Sequence, residues 1–588
     1  MRKYFFLLLL ISTVNSVVAQ SILKSENDSN IFEQIPSERV FVHFNTSLLF
    51  VGEYIYYKFY CFDSNSTLFS EISKIGYIEL IGENGTIVFK HKITLDNGIG
   101  YGDFFIPSET PSGNYKLVAY TNWMKNDQLQ NLFQNDVTVI NPYQSNQKDI
   151  SELPEFILDS ITPNNVTPNT FKSMSSELSS DRMKVTINKS VFNKRDEIIV
   201  SIKSLDSSII KGNYSMSVRK INTLPAFDKK SVIEFDKSNA EQIKTLNSEL
   251  FLPELRGELV KGSILDHTSK KPIPNASIAL SIPNEPFNFY FALTDDNGEF
   301  YVNIDKKQNG NKGYIEVLDK NRNNYNLELE VSSTINYSDL NFKKYRLSAD
   351  MEKLILERSV HNQIENAFFN FRPDSTILNT IPIPFIKSDI ITYNLDEYTR
   401  FSSVTETFIE IINLAWVEKI DQDNHVFKVK PYEKYADSNE LPLVLIDGLI
   451  IFNHNDVLNL NAKTIKSISL LREKYIFGTE LYKGIVSFET INGDYIQPNT
   501  NMASKYVDLF SPQPKKKYYT QSYTAHIQKE SKLPDDRIQL LWIPEMKVDF
   551  STNINCYTSD ISGDFELHIE GFTSTGEPIA ILKLFKVE

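Results

Sequence analysis

Between Arg39 and Ile140 the chain alternates β-branched and aromatic residues with polar ones, and turn signals cut the alternation at Val51-Gly52-Glu53, Glu83-Asn84-Gly85, Asp96-Asn97-Gly98 and Pro111-Ser112-Gly113. Short strands separated by Asn-Gly hairpins predict an antiparallel β-sandwich over residues 33–142. Residues 143–180 lose the period and gain Ser, Asn, Thr and Pro, the composition of a linker. Alternation returns over 181–250, again over 256–332 and finally over 537–588, predicting three further β modules. In the third of these four modules, Asn297-Gly298 is expected to supply the positive φ values of a tight hairpin, with Phe300 returning to the core.

The pattern changes after residue 332. A helix is expected from Asp350 to about Phe371 within a connector, 333–384, and a second from Ser403 to Trp416. In that second helix Ser403 and Glu406 make a capping-box pair, while Val404, Phe408, Ile411, Ile412 and Ala415 recur at helical spacing. Leu443-Val444-Leu445-Ile446 shows no polar alternation, as expected of a strand covered on both faces, and the Ser403 helix is expected to be one cover. Residues 385–496 therefore read as an α+β domain, and polar 497–536 as a second linker. The predicted fold class is mainly β and multidomain, with several antiparallel sandwiches and one α+β domain.

Three resemblances sharpen this. SERVFVHFNTSLLFVGEYIYYKFY, followed by GYGDFFIPSETPSGNYKLVAYTNWMKN, is similar to the macroglobulin-type sandwich that opens large secreted proteins of Bacteroidota. Its marks are Gly52-Glu53 before a strand and the Ser112-Gly113-x-Tyr115 turn feeding a strand that ends in Tyr120-Thr121-Asn122-Trp123. Residues 181–250 resemble a weaker copy, with Phe192 and Asp196-Glu197 in the places of Tyr and Gly-Glu, so the two look like a degenerate repeat. Ser562-Gly563-x-Phe565 repeats the Ser112 turn, and 537–588 resembles the terminal sandwich of the same architecture. Val260-x-Gly262, Pro272-Ile273-Pro274-Asn275-Ala276 and Thr294-Asp295-x-x-Gly298-x-Phe300 resemble the transthyretin-like carboxypeptidase regulatory-like domain. Leu441 to Asp494 resembles the plug of a TonB-dependent receptor: a strand ending at Asp447-Gly448, a helical stretch near Asp456 to Leu460, a strand from Ile465 to Arg472, a Tyr475/Gly478 turn and a closing strand from Gly484 to Phe488. A receptor barrel would need about 22 strands of roughly ten residues after it, and 94 residues follow, so the chain is not itself expected to be a transporter.

Bulk properties narrow the function. At 588 residues with 41% hydrophobic and 12% aromatic content, the chain is expected to fold as several globular domains. A formal charge of -14 without any Lys/Arg cluster longer than Lys515-Lys516-Lys517 argues against nucleic acid as a partner. Residues 1–19 read as a secretory signal peptide: Arg2-Lys3, an apolar run Phe5 to Ile11, and Val17-Val18-Ala19 before cleavage. The run is too short to span ~30 Å of hydrocarbon, and no later run provides a transmembrane span. Export to the periplasm, outer membrane or exterior is expected. Cys61 and Cys556 are expected as two separate buried thiols, with a bridge between terminal domains as the alternative.

No catalytic, cofactor or metal site is expected. Neither Cys sits in a thioester motif, and HExxH, GxSxG, P-loop and dinucleotide fingerprints are all missing. Asp295, Asp296 and Glu299 lack EF-hand spacing, which leaves a structural hairpin as the preferred reading over a calcium loop. His361/Glu365 and His526/Glu530 are read as His/carboxylate pairs on solvated helix faces. The expectation is a non-enzymatic binding or assembly scaffold of the cell envelope, partnered by envelope or outer-membrane proteins. The alternatives are an accessory of TonB-dependent uptake, although no TonB box is visible near the mature N-terminus, and an extracytoplasmic glycan or peptide hydrolase.

Overall fold

Strands far apart in sequence pair to build this molecule. The computed structural model describes residues 35–147, 150, 177–237, 251–283, 287–304, 311–319, 321–330, 335–377, 389–422, 424–432, 440–496, 502–524 and 532–588. The expected signal peptide, the search for a TonB box and the His526/Glu530 pair lie outside them. The described chain divides into two compact units, one holding 34–255, 334–378 and 512–588, the other 256–333 and 379–511. The architecture is mainly β and multidomain, with largely antiparallel sheets.

The first unit contains two sandwiches of one topology. The eight strands of the first are Glu38–Phe44, Leu48–Phe50, Tyr54–Asp63, Ile75–Gly82, Ile87–Thr94, Ile99–Phe105, Gly113–Tyr120 and Phe133–Ile140. Counted in chain order, they form one sheet in order 1-3-6 and another in order 2-8-7-4-5. The second sandwich takes Met183–Ile187, Val191–Phe192, Glu197–Ser204 and Asn213–Lys220, then Gln539–Met546, Ser551–Tyr557, Gly563–Phe572 and Pro578–Val587. Counted the same way, its sheets again run 1-3-6 and 2-8-7-4-5. In both, strand 2 lies parallel to strand 8. The repeated Ser-Gly-x-aromatic turn opens strand 7 in each, at Gly113 and at Gly563.

The expected boundaries therefore need correction: 181–250 and 537–588 supply the two halves of one sandwich, and residues 221–538 interrupt it between its fourth and fifth strands. Asn213–Lys220 is hydrogen-bonded on one side to Gly563–Phe572 and on the other to Gln539–Met546. Its inward residues Tyr214, Met216 and Val218 share a core with Leu541, Leu567 and Ile569. The N-terminal half alone would leave that apolar face and both strand edges open.

The second unit repeats this logic. Its sandwich has one sheet of Glu258–Asp266, Glu299–Ile304 and Tyr325–Leu329, and another of Ser277–Ile282, Asn288–Leu293, Lys312–Val317 and Ser504–Asp508. Ser504–Asp508 comes from the expected 497–536 linker and pairs antiparallel with Lys312–Val317, so part of that stretch is sandwich. The α+β domain has a five-stranded sheet that includes Leu443–Ile446, Ile465–Phe477 and Glu480–Thr490. Ser403 caps the helix as expected, its Oγ accepting from the Glu406 N–H at 3.1 Å, but the helix covers only Val404–Glu410. Ala415–Lys419 instead pairs with His425–Val429 as a strand, which puts Ala415 in the core and leaves Trp416 about half exposed. Tertiary packing here overrides the helical spacing. Val444 and Ile446 pack with Phe408 and Phe488, while Leu443 and Leu445 pack with Ala279 and Phe289 of the sandwich. The helix is one cover of that strand and the sandwich is the other.

Candidate functional site

Successive residues of a strand point to opposite faces, and in Tyr54–Asp63 both faces are buried. Ile55, Tyr57, Phe59 and Cys61 enter the first sandwich's core. Lys58 and Tyr60 point the other way, toward Asn213–Lys220 of the second sandwich. Lys58 Nζ donates to the Tyr214 carbonyl at 3.0 Å, and Tyr60 Oη donates to the Glu570 carbonyl at 3.3 Å. His43, directly across from Lys58 in the register, shares a 2.7 Å hydrogen bond between Nδ1 and Ser215 Oγ. Glu570, across from Ser215, brings Oε2 to 4.0 Å from His43 Nε2 and Oε1 to 3.4 Å from His568 Nε2.

Ser215, His43 and Glu570 thus have the composition of a nucleophile, a base and an orienting carboxylate. No sequence motif announces them, because they lie 172 and 355 positions apart. The trace they leave is polar residues in apolar runs, His43 in FVHF and Lys58 in YYKFY, and the alternation of Ser215, Ser217 and Arg219. The cluster is sealed: Ser215 and Lys58 are 0% exposed, His43 1% and Glu570 2%. Burial, with His568, Lys229 and Lys58 nearby, holds His43 well below its ordinary value, and burial brings Lys58 down to about 7. As built, these groups fasten one sandwich to the other and have no path to a substrate.

Trp542 bounds this seam. Its ring lies 5.3 Å from His43 on one side and stacks on Tyr56 at 5.9 Å on the other. Tyr54, Tyr56, Trp542, Arg219 and Asp374 line an open cavity of about 140 Å³. The Glu352–Ala367 helix forms part of its wall and explains the Gly52-Glu53 mark. Arg358 holds Glu53 through two hydrogen bonds of 2.8 and 2.7 Å, while Asn362 and Asn366 donate to the carbonyls of Val51 and Gly52. Gly52 has φ +87°, and a Cβ there would come within 2.7 Å of the Asn366 amide. The connector helix is therefore a clamp on the first sandwich. His361 and Glu365 do not act as one solvated pair: His361 bonds Asp536 at 2.7 Å, and Glu365 accepts from Arg372 at 2.8 Å.

Other expectations resolve locally. Asp295 Oδ1 accepts from the backbone N–H groups of Asn297 and Glu299, closing the hairpin, and Gly298 at φ +71° carries the left-handed turn without help from Asn297. Cys61 and Cys556 are unpaired and sit in different cores, where burial raises both thiols, Cys556 to about 12. Among the described residues, no group of three His, Cys, Asp or Glu side chains is placed to hold a metal. No described helix is long and apolar enough to cross a membrane.

No family model and no curated protein matches the chain. Solved structures with similarity include Salmonella alpha-2-macroglobulin reacted with methylamine, at 10% identity and TM-score 0.21, covering 94% of this chain and 39% of that one. Native Escherichia coli alpha-2-macroglobulin matches at 10% identity and TM-score 0.23, covering 94% and 40%. The Yersinia pseudotuberculosis adhesin InvE matches at 10% identity and TM-score 0.13, covering 50% and 56%. The chain spans about two fifths of the length of these macroglobulins.

Proposed function

We propose that this chain is a non-enzymatic binding or assembly scaffold of the cell envelope, of the kind found in exported multidomain proteins of Bacteroidota. The observation that supports it best is the sealed seam. The groups best suited to acyl transfer, Ser215, His43 and Glu570, are consumed in joining two sandwiches. What remains available to partners is loops and sheet edges held on rigid supports, the usual recognition surfaces of β-sandwiches. Covering both faces of Leu443–Ile446 supports a spacer role for the α+β domain over a docking role in uptake. The test is affinity purification of the tagged chain from envelope fractions. Recovery of assembly or secretion components is expected, recovery of a TonB-dependent receptor would favour the uptake accessory, and recovery of no envelope protein would sink both.

A further inference from the structure

The second sandwich has an open sheet edge at Ser551–Tyr557 that lacks the protection other edges of its unit carry. This strand pairs with Glu197–Ser204 on one side, and among the described residues no strand pairs with the other. Sheet edges are commonly guarded by charged residues or proline, which keep a further strand from adding. The edge strand Met183–Ile187 carries Lys184, Ile87–Thr94 carries Lys90 and Lys92, and Gln539–Met546 carries Pro544 and Glu545. Ser551–Tyr557, STNINCY, has neither a charge nor a proline. Phe550, which leads into it, is 76% exposed.

Main-chain geometry identifies the groups that face outward. The Ser204 N–H donates to the Phe550 carbonyl at 3.2 Å, and the Thr558 N–H donates to the Asp196 carbonyl at 3.0 Å. Residues of an antiparallel strand alternate in turning their N–H and C=O toward a given neighbour. Thr552, Ile554 and Cys556 therefore turn theirs toward Glu197–Ser204, and Ser551, Asn553 and Asn555 turn theirs outward. Side chains alternate as well: Ile554 and Cys556 pack on the core, while those of Ser551, Asn553 and Asn555 are exposed. We propose that this edge pairs antiparallel with the same edge of a second copy of the chain, in the register centred on Asn553. There Asn553 meets Asn553 and Ser551 meets Asn555 of the second copy, so each outward N–H and C=O of these three residues gains a partner. Thr552 lies opposite Ile554 of the second copy on the core face, a β-branched cross-strand pair, and exposed Phe550 is carried to the same face. No like charges are opposed along the strand, which is what makes it complementary to itself, and the contact is isologous, as a closed dimer requires. This pairing is independent of the scaffold reading, since it holds whichever envelope protein is recovered with the chain.

The experiment is sedimentation velocity of the full chain over a concentration series, repeated with Asn553→Pro. Proline removes an N–H that points away from the neighbouring strand, so a single copy loses no ladder hydrogen bond, and proline is tolerated at such edge positions. A concentration-dependent dimer is expected for the unaltered chain, and a monomer at the same concentrations for Asn553→Pro with a native circular-dichroism spectrum. Should that variant not fold, Asn553→Lys, at an exposed position, sets two ammonium groups opposite each other across the axis and should likewise sediment as a monomer. An unaltered chain that is monomeric at every concentration would overturn the proposal and leave the edge to a strand from another protein. A dimer that survives unweakened in folded Asn553→Pro or Asn553→Lys would overturn it as well, by placing self-association on another surface.

Discussion

At the residue scale, single side chains explain the motifs that pattern alone could only mark. The Tyr120-Thr121-Asn122-Trp123 run is a set of anchors: Thr121 donates to Glu38 at 2.6 Å, Asn122 to the Leu252 carbonyl at 2.9 Å and Trp123 to the Pro36 carbonyl at 2.9 Å. Tyr115 of the Ser-Gly-x-Tyr turn donates back to the Pro111 carbonyl at 2.7 Å, while its counterpart Phe565 keeps the burial and lacks the hydroxyl. Gly298→Val should cost on the order of 1 to 3 kcal/mol, because φ is +71° and a Cβ would come within 2.6 Å of the Ile264 carbonyl; chemical denaturation of the variant checks this. Lys58 gives a pH-dependent prediction. Its folded value of about 7 lies below the ordinary 10.5, so between those values the unfolded chain holds a proton that the native state does not. Stability from this group therefore rises with pH across that window and is lowest below pH 7. Lys58→Met loses the hydrogen bond to the Tyr214 carbonyl but also the titrating charge, so any gain over the unaltered chain should be larger at pH 6 than at pH 10. Melting curves showing the same gain at both pH values would contradict the assignment.

At the element scale, the strand Leu443–Ile446 shows how far hydrophobic pattern reaches. Its unbroken apolar run marks burial on both faces and the neighbouring helix as one cover, and the structure has both. The identity of the second cover, strands around Ala279 and Phe289, was not legible, because pattern shows that a face is buried and not what buries it. The same limit explains the overlong helix. Ile411, Ile412 and Ala415 fit helical spacing, yet cross-strand pairing of Ala415–Lys419 with His425–Val429 takes the chain out of the helix after Glu410. Phe408 lies 4.9 Å from Phe427 and 6.0 Å from Phe488, and is 2% exposed. Phe408→Ala should cost roughly 3 to 5 kcal/mol and make residues 389–496 protease-sensitive. Unchanged proteolytic resistance would show that this ring is not holding the domain together.

At the scale of the whole molecule, the internal repeat was legible in the two Ser-Gly-x-aromatic turns, but the interruption of the second copy was not. Alternation over 181–220 and over 539–587 is equally good evidence for two small modules or for one divided module. The pairing of Asn213–Lys220 with strands more than 300 residues away decides it. Removing residues 537–588 should therefore unfold the second sandwich and expose 183–220 to protease, since four of its eight strands would go. A truncated chain that kept the same cooperative transition would contradict the shared core. The closed seam between this sandwich and the first carries the proposed function. In the proposed scaffold role Ser215, His43 and Glu570 join the two sandwiches and do no chemistry. The most direct measurement is treatment of the folded chain with a fluorophosphonate serine probe, followed by peptide mass spectrometry. No adduct on Ser215 is expected, because its side chain is sealed from solvent. Stoichiometric modification of Ser215, lost in a folded His43→Ala variant, would contradict it and show a hydrolase in place of a scaffold.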